Sequence, residues 1–323
     1  MEYTVRALSE DEWPLWDDFV DKSSSGTLFH KRDWFDVSGE KFIIYGYFRG
    51  QELYAGIPLS IKSMFGIKVA CRPGLTPYNG VLFKQREGKY VTKLSSEKEE
   101  AQALAHLMKS DFKLVRFGFS PGHVDLQPFI REGFLPEIMY TYVIKLGASL
   151  EDIWNGLGEN TRRNIKKARK DGITIIQSDD FNQTLSLVEK TFSRQNLKGQ
   201  SGPLAFRYNA MLSKRGQCKS FVAKDRNDYK IAVVYIIWDT SRAYYMMGGY
   251  DSEKSHYGAM SLAMWEAIEY SRQELSLKEF DFEGSMIPQI ERFFRAFGGK
   301  LSVRYIVTWA APYLKIPFLL RKR

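Results

Sequence analysis

The segment at residues 243–300, AYYMMGGYDSEKSHYGAMSLAMWEAIEYSRQELSLKEFDFEGSMIPQIERFFRAFGGK, decides the fold of this chain. Its first five residues are apolar and predict a β-strand, and the glycine pair 248–249 permits a turn or the close approach of a ligand. A polar loop over 250–257 leads into a helical pattern over 258–272, because apolar side chains recur there at spacings of three and four. A second strand is predicted over 278–282. These elements form a β-loop-α-β unit, whose two strands we expect to be parallel neighbours.

The rest of the chain predicts an α/β fold in two halves. Residues 41–48 and 52–61 are apolar runs joined by a short polar link, which is typical of a β-hairpin. Helices and strands then alternate up to residue 147, and a similar series of strands and helices begins after it. A chain of 323 residues is long for a single core. We therefore predict two domains, 1–147 and 148–323.

Composition indicates a well-packed globular protein, with 44 % hydrophobic and 15 % aromatic residues. No run of about 18 uncharged apolar residues occurs, so neither a spanning helix nor a signal peptide is expected. Cys71 and Cys218 are isolated, which argues against a disulfide framework or a zinc site. The four histidines are scattered, and we expect no metal. A cytoplasmic location fits best.

The net charge of +9 is unevenly distributed. Residues 161–171 (TRRNIKKARKD) contain six basic side chains and one acidic side chain, a local balance of 6 − 1 = +5. Such a concentration favours a phosphate-bearing partner: a nucleotide-linked or lipid-linked acceptor, tRNA, or an anionic membrane surface. The apolar tail at 310–323 ends in basic residues, so we consider peripheral contact with the inner face of a membrane through this tail.

Several stretches resemble the GNAT superfamily of acyltransferases, in the branch related to the Fem peptidyltransferases that build peptidoglycan cross-bridges. They are GGYD, GAMSLAMWEAI and EFDFEGS…ERFFRAFGG in the opening segment, the basic stretch at 161–171, the N-terminal WxxFVxxSSSGTLFHKRDW, and PYNG at 77–80. Together they cover nearly the whole chain. The resemblance implies two tandem GNAT-like domains, each with a mixed, mostly antiparallel sheet flanked by helices. No coiled-coil arm interrupts the second half.

The resemblance also implies a binding site for acetyl-CoA or another acyl-CoA at the β-loop-α junction. Met246, Met247 and Gly248 would line the acyl arm. Relatives hold the cofactor pyrophosphate on backbone amides at the start of the helix, where free N–H groups and the helix dipole favour an anion. The residues at this junction are Ser255, His256, Tyr257, Gly258 and Ala259.

Two carboxylates are the leading candidates for acid–base chemistry. Asp281 and Glu283 stand at i and i+2, so in a strand their side chains would share one face, at the end where α/β sites collect. Either could take a proton from an acceptor amine or hydroxyl. The alternative is a structural role, in which one caps a helix near residue 286 or pairs with Arg292 or Arg295. Tyr250, which follows the glycine pair, is the third catalytic candidate.

Acceptor binding is predicted at three places. On the basic helix, Arg162 and Lys166 fall at i and i+4 beside Arg163, a spacing that suits a diphosphate or a nucleic-acid backbone. By resemblance, Tyr78 and Asn79 help to shape the cleft of the first domain, although Asn79 before Gly80 also suits a turn. The cross-bridge enzymes commonly carry a lysine near FFRAF. This chain has two flanking arginines instead, whose fork has a different reach: Arg292 and Arg295.

These observations predict an acyltransferase that moves an acetyl or longer acyl group from a thioester donor to an amine or hydroxyl of a phosphate-linked sugar or lipid precursor of the cell envelope. One alternative is a transferase of the cross-bridge type that uses aminoacyl-tRNA as its donor. Another is a non-catalytic basic module that binds RNA or a membrane surface. The scaffold is shared by many transferases, so the acyl group and the acceptor stay open at this point.

Overall fold

The structure, a computed structural model, describes residues 3–194, 202–254 and 256–314. In chain order the strands are β1 (Tyr3–Ala7), β2 (Phe42–Arg49), β3 (Glu52–Met64), β4 (Ile67–Cys71), β5 (Leu82–Phe83), β6 (Leu114–Gly118), β7 (Leu135–Lys145), β8 (Thr174–Ser178), β9 (Cys218–Lys224), β10 (Lys230–Trp238), β11 (Arg242–Tyr250), β12 (Glu279–Asp281) and β13 (Lys300–Ala310). The helices are α1 (Trp13–Lys22), α2 (Arg32–Ser38), α3 (Tyr90–Asp111), α4 (Gln127–Arg131), α5 (Leu150–Gly156), α6 (Glu159–Lys170), α7 (Phe181–Arg194), α8 (Gly202–Lys214), α9 (Ala259–Gln273) and α10 (Pro288–Arg295). Two 3₁₀ turns lie at Glu10–Glu12 and Leu28–His30.

The chain divides into two compact units. Residues up to Met139 and from Val303 onward form the first unit, and Tyr140–Ser302 form the second. This division differs from the predicted 1–147 and 148–323. The end of β7 pairs with β12 of the second unit, whereas the end of β13 pairs with β6 of the first. Backbone pairing along these two long strands therefore determines where each unit begins and ends.

In the first unit the strand order is β1-β2-β3-β4-β6-β13, and β5 pairs with β3. The pair β4–β6 is parallel and the others are antiparallel, including the predicted hairpin of β2 and β3. Helix α3 covers one face of this sheet through buried Ala101, Leu104, Ala105 and Met108. It begins at Tyr90 and ends at Asp111. The sequence did not predict β1, because this edge strand is largely exposed and lacks apolar alternation.

The second unit orders its strands β7-β12-β11-β10-β9-β8. Only β11 and β12 are parallel in this path, as the opening segment predicted. Helix α9 connects them and buries most of its apolar side chains against the sheet, among them Leu262, Met264 and Ile268. Each unit thus has the predicted mixed, mostly antiparallel sheet flanked by helices.

Two of the sequence predictions fall outside the described ranges. Ser255, a predicted cofactor contact, is one, and the basic end of the C-terminal tail, residues 315–323, is the other. None of the helices in the described ranges has the length and apolar character that crossing a bilayer requires. In the same ranges, no group of three or more His, Cys, Asp or Glu side chains could hold a metal ion.

Candidate functional site

The candidate site begins where β11 and β12 separate. Their parallel pairing runs from Arg242 beside Glu279 to Tyr244 beside Asp281, where β12 ends. Strand β11 continues to Tyr250 with β10 as its partner. Among the described residues no strand pairs with the other side of β11 beyond Tyr244. A wedge with a backbone edge available for hydrogen bonding therefore opens at this point of the sheet.

A β-bulge shapes the wall of this wedge. Tyr235 lies opposite Met247 and Ile236 lies opposite Tyr245, so Met246 is the extra residue of β11. Bulges bend a strand and redirect its side chains. Residues 245–248 are all partly exposed, although they lie in the middle of the second unit's sheet. The predicted acyl-arm residues Met246, Met247 and Gly248 thus lie on the accessible part of β11.

Glu283 lies in a left-handed turn immediately after β12. Its φ is 55° and that of Gly284 is 76°. The expectation that Asp281 and Glu283 share one face of a strand is wrong, because β12 ends at Asp281 and the chain turns. The reason is local: the Asp281 carboxylate accepts a hydrogen bond from the Glu283 N–H at 2.9 Å. A side chain on Gly284 would collide with the carbonyl of Tyr140, so this turn follows β7 closely.

Asp281 is fully buried and has a structural set of contacts. Thr141 donates a hydrogen bond to its Oδ1 at 2.7 Å, and Arg242 Nη1 lies 3.8 Å from its Oδ2. Together with the bond from Glu283, these contacts make Asp281 a positioning residue for the turn. At the start of α10, the Ile287 N–H donates to Ser285 Oγ at 3.1 Å. Neither Asp281 nor Glu283 serves as the predicted helix cap.

Tyr245 connects Glu283 with the wall of the wedge. Its hydroxyl occupies the space that a side chain on Gly248 would need, and its ring packs edge-on to Phe294 at 5.3 Å. Burial raises the pKa of Tyr245, and the negative charge of Glu283 raises it further. The Tyr245 phenol is therefore neutral at physiological pH. Sequence reasoning missed Tyr245, although it stands directly before the predicted acyl-arm residues.

The loop before α9 is held by His256. The Gly258 N–H donates to His256 Nδ1 at 3.1 Å, so this ring nitrogen is an acceptor and Nε2 carries the hydrogen. Nε2 lies 3.0 Å from Asp171 Oδ2, to which it donates. Lys167 reaches the same carboxylate at 2.9 Å. His256 thus fixes the conformation of the loop, and a positive charge lies beside it.

Helix α6 packs closely against the beginning of α9. A side chain on Gly258 would collide with the carbonyl oxygen of Asn164 and would lie 3.0 Å from Ala168 Cβ. Ala259 is buried, whereas the Tyr257 side chain is 58 % exposed and stacks on His256 with ring centroids 4.6 Å apart. The basic stretch and the predicted phosphate loop are therefore neighbours within the second unit.

The basic side chains of α6 divide into partnered and solvent-facing groups. Ile165 and Ala168 are buried. Arg162 donates to the Asn155 carbonyl at 2.7 Å, Arg163 to Asn160 Oδ1 at 2.8 Å, and Arg169 to Glu266 at 2.9 Å. Lys166 lies over the Trp154 ring at 6.0 Å and is exposed. The helix keeps a cationic surface, although three of its arginines donate hydrogen bonds to neighbouring groups of the protein.

The remaining candidates of the second unit are Tyr250 on β11 and the two arginines of α10. The Tyr250 N–H donates to Thr191 Oγ1 at 3.0 Å, and its side chain packs against the core. On α10, Arg292 and Arg295 are exposed, and Arg295 lies 3.4 Å from Glu291. Glu291 also accepts a hydrogen bond from Tyr142 at 2.5 Å. The two arginines are thus held on the surface of the helix whose Phe294 packs against Tyr245.

The two candidates of the first unit are buried. Asn79 donates to the Pro58 carbonyl at 3.0 Å and accepts from the Gly118 N–H at 3.2 Å. These bonds connect its loop to β3 and β6, so Asn79 holds this loop against the sheet. Tyr78 is buried beside Phe29, and Arg304 lies 5.6 Å from the centre of its ring.

Comparison with known proteins agrees with this geometry. Residues 158–294 match the model of a family described as an acetyltransferase (GNAT) domain. The matched residues contain α6, the β11–α9 junction and Glu283. No curated protein matches the sequence.

Solved structures match nearly the whole chain. A crystal structure of FemX aligns over 98 % of this chain and 99 % of its own, with 13 % identity and a TM-score of 0.73. A tandem GNAT protein from the clavulanic acid biosynthesis pathway covers 95 % and 98 %, with 13 % identity and a TM-score of 0.56. The structure of L-PGS from Bacillus licheniformis covers 98 % and 96 %, with 12 % identity and a TM-score of 0.56. At these identities the likeness concerns the fold.

Proposed function

We propose that this protein is an acyltransferase that moves an acetyl or longer acyl group from acyl-CoA to an amine or hydroxyl of a phosphate-linked sugar or lipid precursor of the cell envelope. The match of residues 158–294 to the GNAT acetyltransferase domain supports this proposal. The separation of β11 from β12 beyond Tyr244 carries this proposal. It leaves a strand edge next to a candidate base and a helix N-terminus, which are the three components that thioester acyl transfer needs.

The residues around the wedge fit an acyl-CoA. The edge of β11 at residues 245–248 offers backbone groups to an extended arm, and the start of α9 offers N–H groups and a helix dipole to its pyrophosphate. Lys167, held beside His256 through Asp171, adds a positive charge near that helix start. When bound, the cofactor would supply an acyl group activated as a thioester. Met246, Met247 and the start of α9 are the parts of the chain that would hold it.

Glu283 is the residue that we assign to proton transfer. Its carboxylate would take the proton from the acceptor's nitrogen or oxygen as the new bond to the acyl carbon forms. The C–S bond of the thioester would then break, and the CoA sulfur would leave and take up a proton as the free thiol. The Asp281 carboxylate, through its bond to the Glu283 N–H, orients the turn. Tyr245, a neutral phenol in the same wedge, would orient the substrate. Backbone N–H groups on the open edge of β11 would polarise the carbonyl oxygen.

Calorimetric titration with acetyl-CoA tests this proposal. We expect binding by the wild-type protein and strong weakening in Tyr257→Asp, because a carboxylate at the start of α9 repels a pyrophosphate. The matched control is Tyr90→Asp, the same exchange at an exposed position that begins α3. If neither acetyl-CoA nor longer acyl-CoAs bind to the folded protein, the proposed donor is wrong.

The FemX fold favours a second candidate, aminoacyl transfer from tRNA. The exposed cationic surface of α6 suits a nucleic-acid backbone, and its contribution would fall steeply with salt concentration. We expect this candidate to lead if tRNA binds, if the binding weakens with salt, and if Arg163→Gln with Lys166→Gln abolishes it. In that outcome acyl-CoA would not compete. Binding of tRNA that survives both substitutions would contradict this candidate.

A further inference from the structure

The first unit holds a cluster of arginines that the proposed chemistry does not use. Arg304, near the start of β13, is only 7 % exposed and lies over the ring of Tyr78. Arg72 follows β4 and donates from Nη1 to the Pro77 carbonyl at 2.9 Å. Burial lowers the pKa of Arg72 most. The positive charges of Arg304 and Arg116 lie close enough to lower it further. All these residues belong to one compact unit.

The charges in this cluster do not balance. Arg116 donates to Glu137 at 3.0 Å and to Thr308 at 2.9 Å, and it is thereby neutralised. Within the ranges that the structure describes, no carboxylate oxygen lies within 4 Å of Arg72 or Arg304. Nε and Nη1 of Arg304 are buried and have no hydrogen-bond partner among those residues. A buried guanidinium in this condition is costly, since both its charge and its N–H groups have lost water.

Three neighbours shape the surroundings of the pair: Gly118, Tyr78 and the solvent at Arg72. A side chain on Gly118 would lie 3.3 Å from Arg72 Nη1 and 2.9 Å from the Pro77 carbonyl, so glycine lets the guanidinium lie directly on β6. The Tyr78 ring covers one face of Arg304 and leaves the edge of its fork for hydrogen bonds. Arg72 is partly exposed and gives the pair an opening to solvent. Two guanidinium forks match the oxygens of a phosphate better than lysines would.

We propose that Arg72 and Arg304 bind a doubly charged oxyanion, the phosphate or diphosphate of a substrate, in the first unit. Two unpaired positive charges call for a dianion, and a phosphate monoester carries between one and a half and two negative charges, roughly, at neutral pH. A single carboxylate would leave one arginine without compensation. The inference rests on the proposed function in one respect: it gives the phosphate of the acceptor a binding site distinct from that of the donor.

Binding of inorganic pyrophosphate, measured by calorimetry at constant ionic strength, tests the site without any turnover. The variants are Arg72→Met and Arg304→Met, and the control is Arg131→Met, an exposed arginine of α4 in the same unit. We expect either cluster variant to weaken binding by about tenfold to a hundredfold, since a charge-assisted hydrogen bond contributes on that scale. The control should bind like the wild type.

Thermal unfolding in an anion-free buffer separates a binding role from a structural one. If Arg304 serves to bind an anion, Arg304→Met removes an uncompensated buried charge. The Tm of this variant then equals or exceeds that of the wild type. A lower Tm with unchanged pyrophosphate binding would overturn the proposal. If Arg304→Met does not fold, Arg304→Lys keeps the charge without the fork, and we expect weakened binding there as well.

Two further measurements are needed. One distinguishes a phosphate site from a carboxylate site, and the other distinguishes failure of this site from failure of the proposed acyl transfer. Acetate at the same ionic strength should stabilise the wild type far less than pyrophosphate or phosphate. Equal effects would make this a carboxylate site and overturn the phosphate assignment. Pyrophosphate binding that depends on Arg72 and Arg304, in a protein that transfers no acyl group to phosphate-bearing acceptors, would refute the proposed function and leave this site standing. No pyrophosphate binding by the wild type would refute the site alone.

Discussion

The Asp281 carboxylate accepts a hydrogen bond from the backbone N–H of Glu283 at 2.9 Å, and this bond holds Glu283 in a left-handed turn with φ of 55°. A non-glycine residue in this conformation is strained by about 1–2 kcal/mol. Strain of this kind is concentrated at functional sites, where the surroundings enforce it. The buried Asp281 carboxylate thus fixes the backbone position of Glu283 at the point where β11 and β12 separate.

The first prediction concerns Glu283. Glu283→Gln should lower the rate of acyl transfer by about 10²- to 10⁴-fold, the usual contribution of a general base, and leave acyl-CoA binding unchanged. Glu283→Gly should also lose the activity, and yet fold at least as well, because glycine adopts the positive φ without strain. Steady-state kinetics and thermal unfolding measure the two effects. Full activity in Glu283→Gln would remove Glu283 from proton transfer.

A second prediction follows from the contact of α6 with α9. In Gly258→Ala the new methyl group meets the carbonyl oxygen of Asn164, and neither backbone can move without shifting a helix. We expect a loss of about 1–3 kcal/mol in the free energy of unfolding, together with weaker acyl-CoA binding. Gly147→Ala is the matched control, since no atom lies within 4 Å of a Cβ there. Equal behaviour of the two variants would contradict this account of Gly258.

The third prediction concerns Asn79. Asn79→Ala should destabilise the protein by about 1–3 kcal/mol, because the carbonyl of Pro58 and the N–H of Gly118 lose their partner in a buried place. Urea unfolding measures this effect. Asn182→Ala, at an exposed position of α7, serves as the control. A normal stability with a raised KM for the acceptor would instead assign Asn79 to substrate binding.

A fourth prediction links stability to pH through His123, which stacks on Phe119 with centroids 3.9 Å apart. Burial lowers its pKa from 6.5 to about 4. Because the folded pKa lies below the unfolded one, the unfolded state binds more protons between these values, and stability falls as the pH drops below about 6.5. Between pH 7.5 and 5 this amounts to about 2 kcal/mol.

Urea unfolding at pH 7.5 and 5 tests the role of His123. In His123→Phe, which keeps the aromatic stack, the loss of stability towards pH 5 should shrink by the same amount. His106→Gln, at an exposed position of α3, should leave the pH dependence as it is in the wild type. Identical pH profiles for His123→Phe and the wild type would show that other groups determine the acid sensitivity.

Local patterns predicted the parallel strands and the helix of the opening segment because their signals lie within the elements themselves. Apolar spacing in α9 and the apolar run of β11 depend on neighbouring residues only. The turn at Glu283 was not predicted, because its cause is a hydrogen bond between a carboxylate and a backbone group, which competes with strand propensity.

The sequence by itself determined the class of the fold and the β-loop-α-β segment of the second unit, since both depend on short-range periodicity. Tertiary structure alone decided which residues meet over long chain distances. Thr141 reaches Asp281, and Arg304 lies over Tyr78, across separations at which no local pattern carries information. Backbone pairing of β7 and β13 likewise decided the division into units. These contacts arise from packing and burial, which form only when the whole chain has folded.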